Sequence, residues 1–204
     1  MNRKPLANRL AEFGTPTIYE AAGKLGDMEP AIRPVIPGVR IAGPAFTVKC
    51  FLGDNAAVLR AIDLAQPGDV LVIDIGGTER ATGWGGTSAL AAQLRGIAGC
   101  VTNGAVRDFD ELVKLGFPVF AKGISVRGTV KFHPGWIGQM VSVGGVAVRP
   151  GDLVFGDEDG VVVVPIERSE EVFAQAVAQR AKENEIERRL REGESVTHIF
   201  DLAT

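Results

Sequence analysis

Apolar positions recur along this chain in two rhythms, separated by glycine and proline breaks. A three-to-four spacing predicts an amphipathic helix over residues 5–13, closed by Gly14. A second helix opens at Thr15-Pro16-Thr17, carries Ile18 to Ala22 and stops by Gly26. A third runs through Ala56, Val58, Leu59, Ile62 and Leu64, with Asp54-Asn55 available as its cap. Strand-like runs occupy residues 40–51, 70–73, 100–102 and 118–121, and the unbroken Val70-Leu71-Val72-Ile73 reads as a strand buried on both faces. Pro30, Pro34, Pro37 and Gly38 predict a loop, and so does the glycine-rich stretch 76–86. Thr87-Ser88 then opens a helix in which Leu90, Ala91, Leu94 and Ile97 recur at helical spacing. A short helix over 109–115 follows Asp108, its candidate cap, and ends at Gly116.

Beyond residue 121 the rhythm changes. Residues 139–148, 153–155 and 161–164 are β-rich and are divided by Gly144-Gly145, Pro150-Gly151-Asp152 and Asp157 to Gly160. A long helix is predicted over 167–192, with Val172, Phe173, Ala176 and Val177 as an apolar stripe in its first half. Its second half is charged and offers Glu185–Arg189 and Glu187–Arg191 pairs at i,i+4, as a solvated terminal helix or an arm to a neighbouring subunit would. Strand–helix alternation followed by clustered strands predicts one mixed α/β domain over 1–166, with a helical extension over 167–204.

Composition narrows the function classes. The 204 residues are 46% hydrophobic and 23% charged, which excludes wholesale disorder. The net charge of −3 supplies no basic footprint for a nucleic acid. No apolar run is long enough for a membrane span, and the start MNRKPLANRLAEF lacks the apolar core of a signal peptide. Cys50 and Cys100 are isolated and read as buried free thiols, in keeping with a reducing cytoplasm. The 26 glycines, about twice the usual ~7% share, predict many tight turns and close backbone approaches.

Several familiar chemistries lack their residues. There is no P-loop, no G-x-G-x-x-G, no G-x-S-x-G elbow and no H-E-x-x-H. His133 and His198 stand far apart and read as surface or loop residues. What remains is GWGGTSALAAQLRGIAGCVTNGAVRD, residues 83–108. Gly85-Gly86 before a helix start expose N–H groups at its positive end, equivalent to about half an elementary charge, which suits a carboxylate or phosphate. The strand over 100–102 returns to the same sheet edge and would deliver Arg107 and Asp108 there. Arginine can fork onto a carboxylate or a developing oxyanion, and an aspartate is a hard ligand for Mg²⁺ or Mn²⁺. A plain surface pair, with Asp108 serving only as a helix cap, fits the same residues.

The spacing G-x20-R-D from Gly86 to Arg107-Asp108, with ATGWGG, NGAVRD, FPVFAKG and VRPGDLVFGDEDGVVVVP, resembles the RraA-like proteins. These include the class II 4-hydroxy-4-methyl-2-oxoglutarate aldolases, and the resemblance runs from about Thr15 to the C-terminal helix. It implies a swivelling β/β/α fold with mixed sheets, assembled as trimers or hexamers with active sites between subunits. It further implies a pyruvyl carboxylate on the amides of Gly85, Gly86, Thr87 and Ser88, substrate contact by Arg107, and Mg²⁺ or Mn²⁺ on Asp108. Glu20 and Glu183 match the acidic positions that approach the metal through water from a neighbouring chain. One departure stands out. Aldolases of the family carry an acidic residue where this chain has Gly86; glycine there, with Glu111 three residues after Asp108, resembles the subgroup named for regulating ribonuclease activity. The expected function is a metal-dependent lyase that releases pyruvate from a 2-oxo acid, by aldol cleavage or by oxaloacetate decarboxylation. The alternative is a non-catalytic regulator of ribonuclease activity acting by protein–protein contact.

Overall fold

The computed structural model describes residues 4–202. The chain opens with α1 (Lys4–Leu10) and α2 (Thr15–Ala21), the latter carrying Pro16 in its first turn, where a missing N–H costs nothing. Next come β1 (Arg33–Pro34), β2 (Ile41–Lys49), α3 (Ala56–Leu64), β3 (Val70–Asp74), β4 (Thr82–Trp84) and α4 (Gly86–Leu94). The central part continues with β5 (Gly99–Thr102), β6 (Ala105–Val106), α5 (Phe109–Leu115), β7 (Val119–Ala121) and β8 (Gly123–Ile124). The last third holds β9 (Trp136–Ile137), β10 (Val141–Val143), β11 (Val146–Val148), β12 (Leu153–Asp157) and β13 (Gly160–Val164), then α6 (Ser169–Arg191) and α7 (Val196–Ile199).

Among the described residues the main sheet runs β1-β7-β5-β3-β2-β12-β13, with β9 beside the end of β2. The strands from β7 to β2 are parallel, and those added at either end are antiparallel. The sheet nearly closes on itself. After α2, Asp27 bridges Val162 on β13, and β1 joins the far edge at β7. Gly26 permits that approach: its φ is +91°, and a Cβ there would overlap the Val163 carbonyl oxygen.

β3 explains its own sequence. Val70 and Val72 face one core while Leu71 and Ile73 face the other, and all four are fully buried. Each such burial contributes about 1.5–3 kcal/mol, which is why the run tolerates no polar residue. On one face lie α3, α4 and α5, with Val58, Ile62, Ala89 and Leu112 against Leu71, Ile73 and Cys100. The β10–β11 hairpin covers the other face through Val141, Val143 and Val148. A third cluster joins α1, α2 and the start of α6 to β12 and β13, through Leu10, Ile18, Val172 and Ala176. The architecture is therefore mixed α/β with stacked β layers, a helical layer and a long C-terminal helix, as the sequence led us to expect.

Four details differ from the sequence reading. The glycine-rich stretch 76–86 contains a strand, β4, which pairs in parallel with β6, and β6 with β8. The proline-rich loop contains β1. Helix α4 buries Ser88, Ala89 and Ala92 and leaves Leu90 and Leu94 at 45% and 79% exposure. Small residues let this helix lie close on the sheet, so its leucines face outward. On α6, Glu187–Arg191 forms as expected, but Glu185 pairs with Arg188 and Arg189 with Glu194. Cys50 and Cys100 are buried and unpaired; burial pushes the Cys50 thiol up to about 12, and Cys100 well above its ordinary value.

Candidate active site

The site is assembled at the small sheet. β4 and β6 run side by side, and Arg107 N–H donates to the Trp84 carbonyl at 3.1 Å, which sets Arg107 against the start of α4. Asp108 follows in a left-handed conformation, φ 60° and ψ 45°. That region is uncommon outside glycine, though aspartate tolerates it better than most residues. Asp108 occupies the N-cap position of α5, yet its side chain makes no bond to that helix. It turns instead to α4, where Oδ2 accepts the Gly86 N–H at 3.1 Å and lies 3.5 Å from Arg107 Nε. The helix-cap expectation for Asp108 is corrected accordingly: the carboxylate tethers two elements.

Both glycines of the turn are pressed by acidic side chains. A Cβ at Gly85 would stand 2.6 Å from Asp108 Oδ2 and 3.1 Å from Arg107 Cγ. A Cβ at Gly86 would overlap Glu111 Oε2 and come within 3.0 Å of Glu111 Cβ. Here a carboxylate from α5 fills the space that a side chain at position 86 would take. Asp108 and Glu111 thus converge on one turn, presenting the hard oxygen donors Mg²⁺ or Mn²⁺ prefers. Mg²⁺ is commonly held by one or two carboxylates and several waters, so this donor set fits it. No group of three or more His, Cys, Asp or Glu suited to a metal occurs among the described residues.

A cavity of about 150 Å³ opens beside the turn. Gly85, Thr87, Ser88, Arg107 and Asp108 line it, so the structure brings together most of the residues singled out from sequence. The N–H groups of Thr87 and Ser88 belong to the first turn of α4 and have no intrahelical acceptor. Trp84 also touches the cavity but is 1% exposed and stacked on Phe117 at 5.7 Å, a packing role. A wider cleft of about 240 Å³ lies between α2 and β13, where Arg33 already donates to the Glu158 and Asp159 carbonyls. It gathers no comparable set of groups.

Glu20 and Glu183 lie elsewhere in the chain, on α2 and α6. Glu20 pairs with Lys24 at 3.5 Å, and Glu183 accepts from Gln179 at 3.1 Å and sits 3.5 Å from Arg180. Neither lines the Arg107 cavity of its own subunit.

Sequence reasoning missed Asn55, Leu59, Thr129 and Lys131, which complete the cavity wall. It also took Asp54 only as a helix cap. Asp54 Oδ1 does accept the Ala56 N–H at 2.9 Å, while Oδ2 accepts the N–H groups of Phe132 and His133 at 2.8 and 2.9 Å. These donors, Ala56 first, hold the Asp54 carboxyl well below the usual carboxylate range against the opposing effect of burial. The histidines are where the sequence put them, His133 in an exposed loop and His198 on α7.

The match to the RraA-like family, described as Aldolase/RraA, spans residues 15–163 and so takes in every residue of this cavity. The chain belongs to the RraA-like family. One relative, from Halalkalibacterium halodurans, is 40% identical over 175 residues, 85% of this chain and 83% of that one, and is named "Putative 4-hydroxy-4-methyl-2-oxoglutarate aldolase". Among solved structures, an uncharacterized protein from Pseudomonas syringae superposes with a TM-score of 0.84 at 26% identity, over 96% of each chain. Streptomyces coelicolor RraAS2, described as an unusual member of the RNase ES inhibitor RraA protein family, gives 0.79 at 27% identity, over 88% of this RraA-like chain and 94% of its own. No helix among the described residues is long and apolar enough to cross a membrane.

Proposed function

We propose that this RraA-like protein is a divalent-metal-dependent lyase that cleaves the C3–C4 bond of a 2-oxo acid and releases pyruvate. One observation carries the reading: the first turn of α4, the Arg107 guanidinium and the Asp108 carboxylate all line a single cavity sized for a small acid. The substrate carboxylate rests on the Thr87 and Ser88 amides of the 85–88 turn, because the Gly86 N–H is already taken by Asp108 and Gly86 does not line the cavity; the orphan N–H groups and the helix dipole favour an anion there. Asp108 would hold Mg²⁺ or Mn²⁺ at the cavity, with Glu111 close by on the other side of Gly86. When bound, that ion supplies Lewis-acid polarisation of the 2-oxo group, several kcal/mol of transition-state stabilisation. Arg107 donates charge-assisted hydrogen bonds to the same oxygen as it gains charge, and losing one such donor costs about 10²–10³ in rate. The C3–C4 pair becomes the C2=C3 bond of pyruvate enolate as the C2=O π pair moves onto oxygen; C4 departs as CO₂ from a carboxylate, or as a carbonyl compound as its hydroxyl gives its proton to a water, and C3 then takes a proton to give pyruvate.

Glu20 and Glu183 of a neighbouring copy hold the water that handles the proton. Assembly into trimers or hexamers is part of this reading. It is supported by the exposed apolar residues Leu90 and Leu94 of α4 and Phe109 and Val113 of α5, two helices that pack on each other. The protein works in the cytoplasm without nucleic acid or membrane. A second reading, regulation of a ribonuclease by protein contact, draws on Gly86 and on the stated character of the Streptomyces coelicolor neighbour.

Purified protein with Mg²⁺ or Mn²⁺ should form pyruvate from oxaloacetate or 4-hydroxy-4-methyl-2-oxoglutarate, and EDTA or Arg107→Ala should each abolish it. A protein that turns over neither acid, yet captures an RNA-degrading endonuclease in a pull-down, would establish the second reading instead.

A further inference from the structure

The cavity contains a second cation that the cleavage chemistry does not use. Lys131 lines it together with Arg107 and forms no ion pair among the described residues. It lies in segment 125–133, which has no regular secondary structure and would ordinarily be free to wander. Here it is fastened on both sides of Lys131. Before it, Val130 N–H donates to the Gly53 carbonyl at 2.9 Å and the Val130 carbonyl accepts the Asn55 N–H at 3.1 Å. After it, the N–H groups of Phe132 and His133 both donate to Asp54 Oδ2, which also meets His133 Nδ1 at 3.1 Å. Thr129 Oγ1 donates to Asn55 Oδ1 at 3.1 Å, and Thr82 Oγ1 donates to the Arg127 carbonyl at 2.8 Å.

Asp54 is 2% exposed and does not itself line the cavity. A buried carboxylate that takes three N–H donors from two segments far apart in sequence is a costly device for holding one exposed loop, unless the loop's position matters. What that loop carries to the cavity is a hydroxyl and an ammonium group.

We propose that Asp54 is a positioning residue that fixes Lys131 over the cavity, and that Lys131 takes a second anionic group of the substrate, remote from the 2-oxo acid end. This rests on the lyase reading and adds to it the residue that selects between one-carboxylate and two-carboxylate ligands. The probes are pyruvate and 2-oxoglutarate, titrated calorimetrically into the full-length protein in Mg²⁺ buffer. The quantity read is the ratio of their dissociation constants.

Wild type should favour 2-oxoglutarate, and Lys131→Met should cut that preference by about fivefold or more, the worth of a partly exposed ion pair with good geometry. Lys131→Arg should keep most of it. Asp54→Asn should lose the preference as Lys131→Met does and also speed hydrogen exchange at the Phe132 and His133 amides. Adding Asp54→Asn to Lys131→Met should lower the ratio no further. An undiminished ratio in Lys131→Met overturns the proposal, and that variant decides the matter even if Asp54→Asn does not fold. Wild type binding both acids equally also overturns it while leaving the lyase reading intact. Wild type binding neither acid removes both.

Discussion

Gly85→Ala is the perturbation whose consequence can be worked most closely. Gly85 has φ −165° and ψ −173°, extended backbone that alanine adopts freely, so the effect is steric. The added Cβ would lie 2.6 Å from Asp108 Oδ2, 3.1 Å from Arg107 Cγ and 3.4 Å from Arg107 Nε. An unstrained C···O contact is about 3.3 Å, so Oδ2 must retreat by about 0.7 Å. That movement breaks the Asp108–Gly86 hydrogen bond and carries Arg107 with it. Asp108 is one-third exposed and can swing toward water, so the stability loss is only about 1 kcal/mol, or roughly 2–4 °C in Tm for a chain of this size. Catalysis is far less tolerant, because a displacement approaching 1 Å in the reacting geometry costs about 10²-fold, equivalent to about 2.7 kcal/mol of barrier. Pyruvate formed from oxaloacetate is followed by coupled NADH oxidation, with the protein-free rate subtracted, and Tm is measured alongside. The expected result is a large fall in kcat/KM in a protein that melts almost normally. A variant with kcat/KM within about threefold of wild type would show that Asp108 and Arg107 need not hold this arrangement for turnover.

Other outcomes follow from the same structure. Borohydride added during turnover should leave no covalent adduct, since the mechanism needs no lysine Schiff base although Lys131 faces the cavity; an adduct on Lys131 by mass spectrometry would replace the metal-based scheme. The Asp54 carboxyl is depressed by the Ala56, Phe132 and His133 N–H groups, so its contribution to stability is present above about pH 4 and lost as pH falls below it. Urea midpoints of wild type should therefore drop more steeply below about pH 4 than those of Asp54→Asn, and parallel curves would contradict that. Buried and pushed upward in pKa, Cys50 and Cys100 should resist a thiol reagent until the protein unfolds; rapid native labelling would show the fold opens there.

The parts of this fold legible in the sequence are those set by local periodicity or local steric need. Val70 to Ile73 announce a doubly buried strand because every residue there must be apolar, and Gly85-Gly86 announce a helix start with bare amides, although nothing in the sequence shows that two acidic side chains press on them. The meeting of that turn with Arg107-Asp108 was also readable, since a returning strand brings its end to the same sheet edge. What was hidden depends on pairing across long sequence separations. Asp54 looks like a helix cap, and from the position before the N-cap, Asn55, its Oδ1 does take the first N–H of α3, but its other oxygen binds residues 132 and 133, a partnership with no sequence period. Strand β4 was masked by glycines whose purpose is close packing: a Cβ at Gly83 would stand 2.7 Å from Ile75. Leu90 and Leu94 misled for the opposite reason, because helical spacing says which residues share a face but not which face the sheet takes.

In the proposed lyase the 85–88 turn, Arg107 and Asp108 together grip one small 2-oxo acid and a divalent ion. A crystal structure of the protein grown with Mn²⁺ and oxalate tests it most directly. Anomalous density is expected on Asp108, with oxalate on the Thr87 and Ser88 amides and within hydrogen-bonding reach of Arg107. Manganese and oxalate found at separate places, or with this cavity filled only by water, would contradict it.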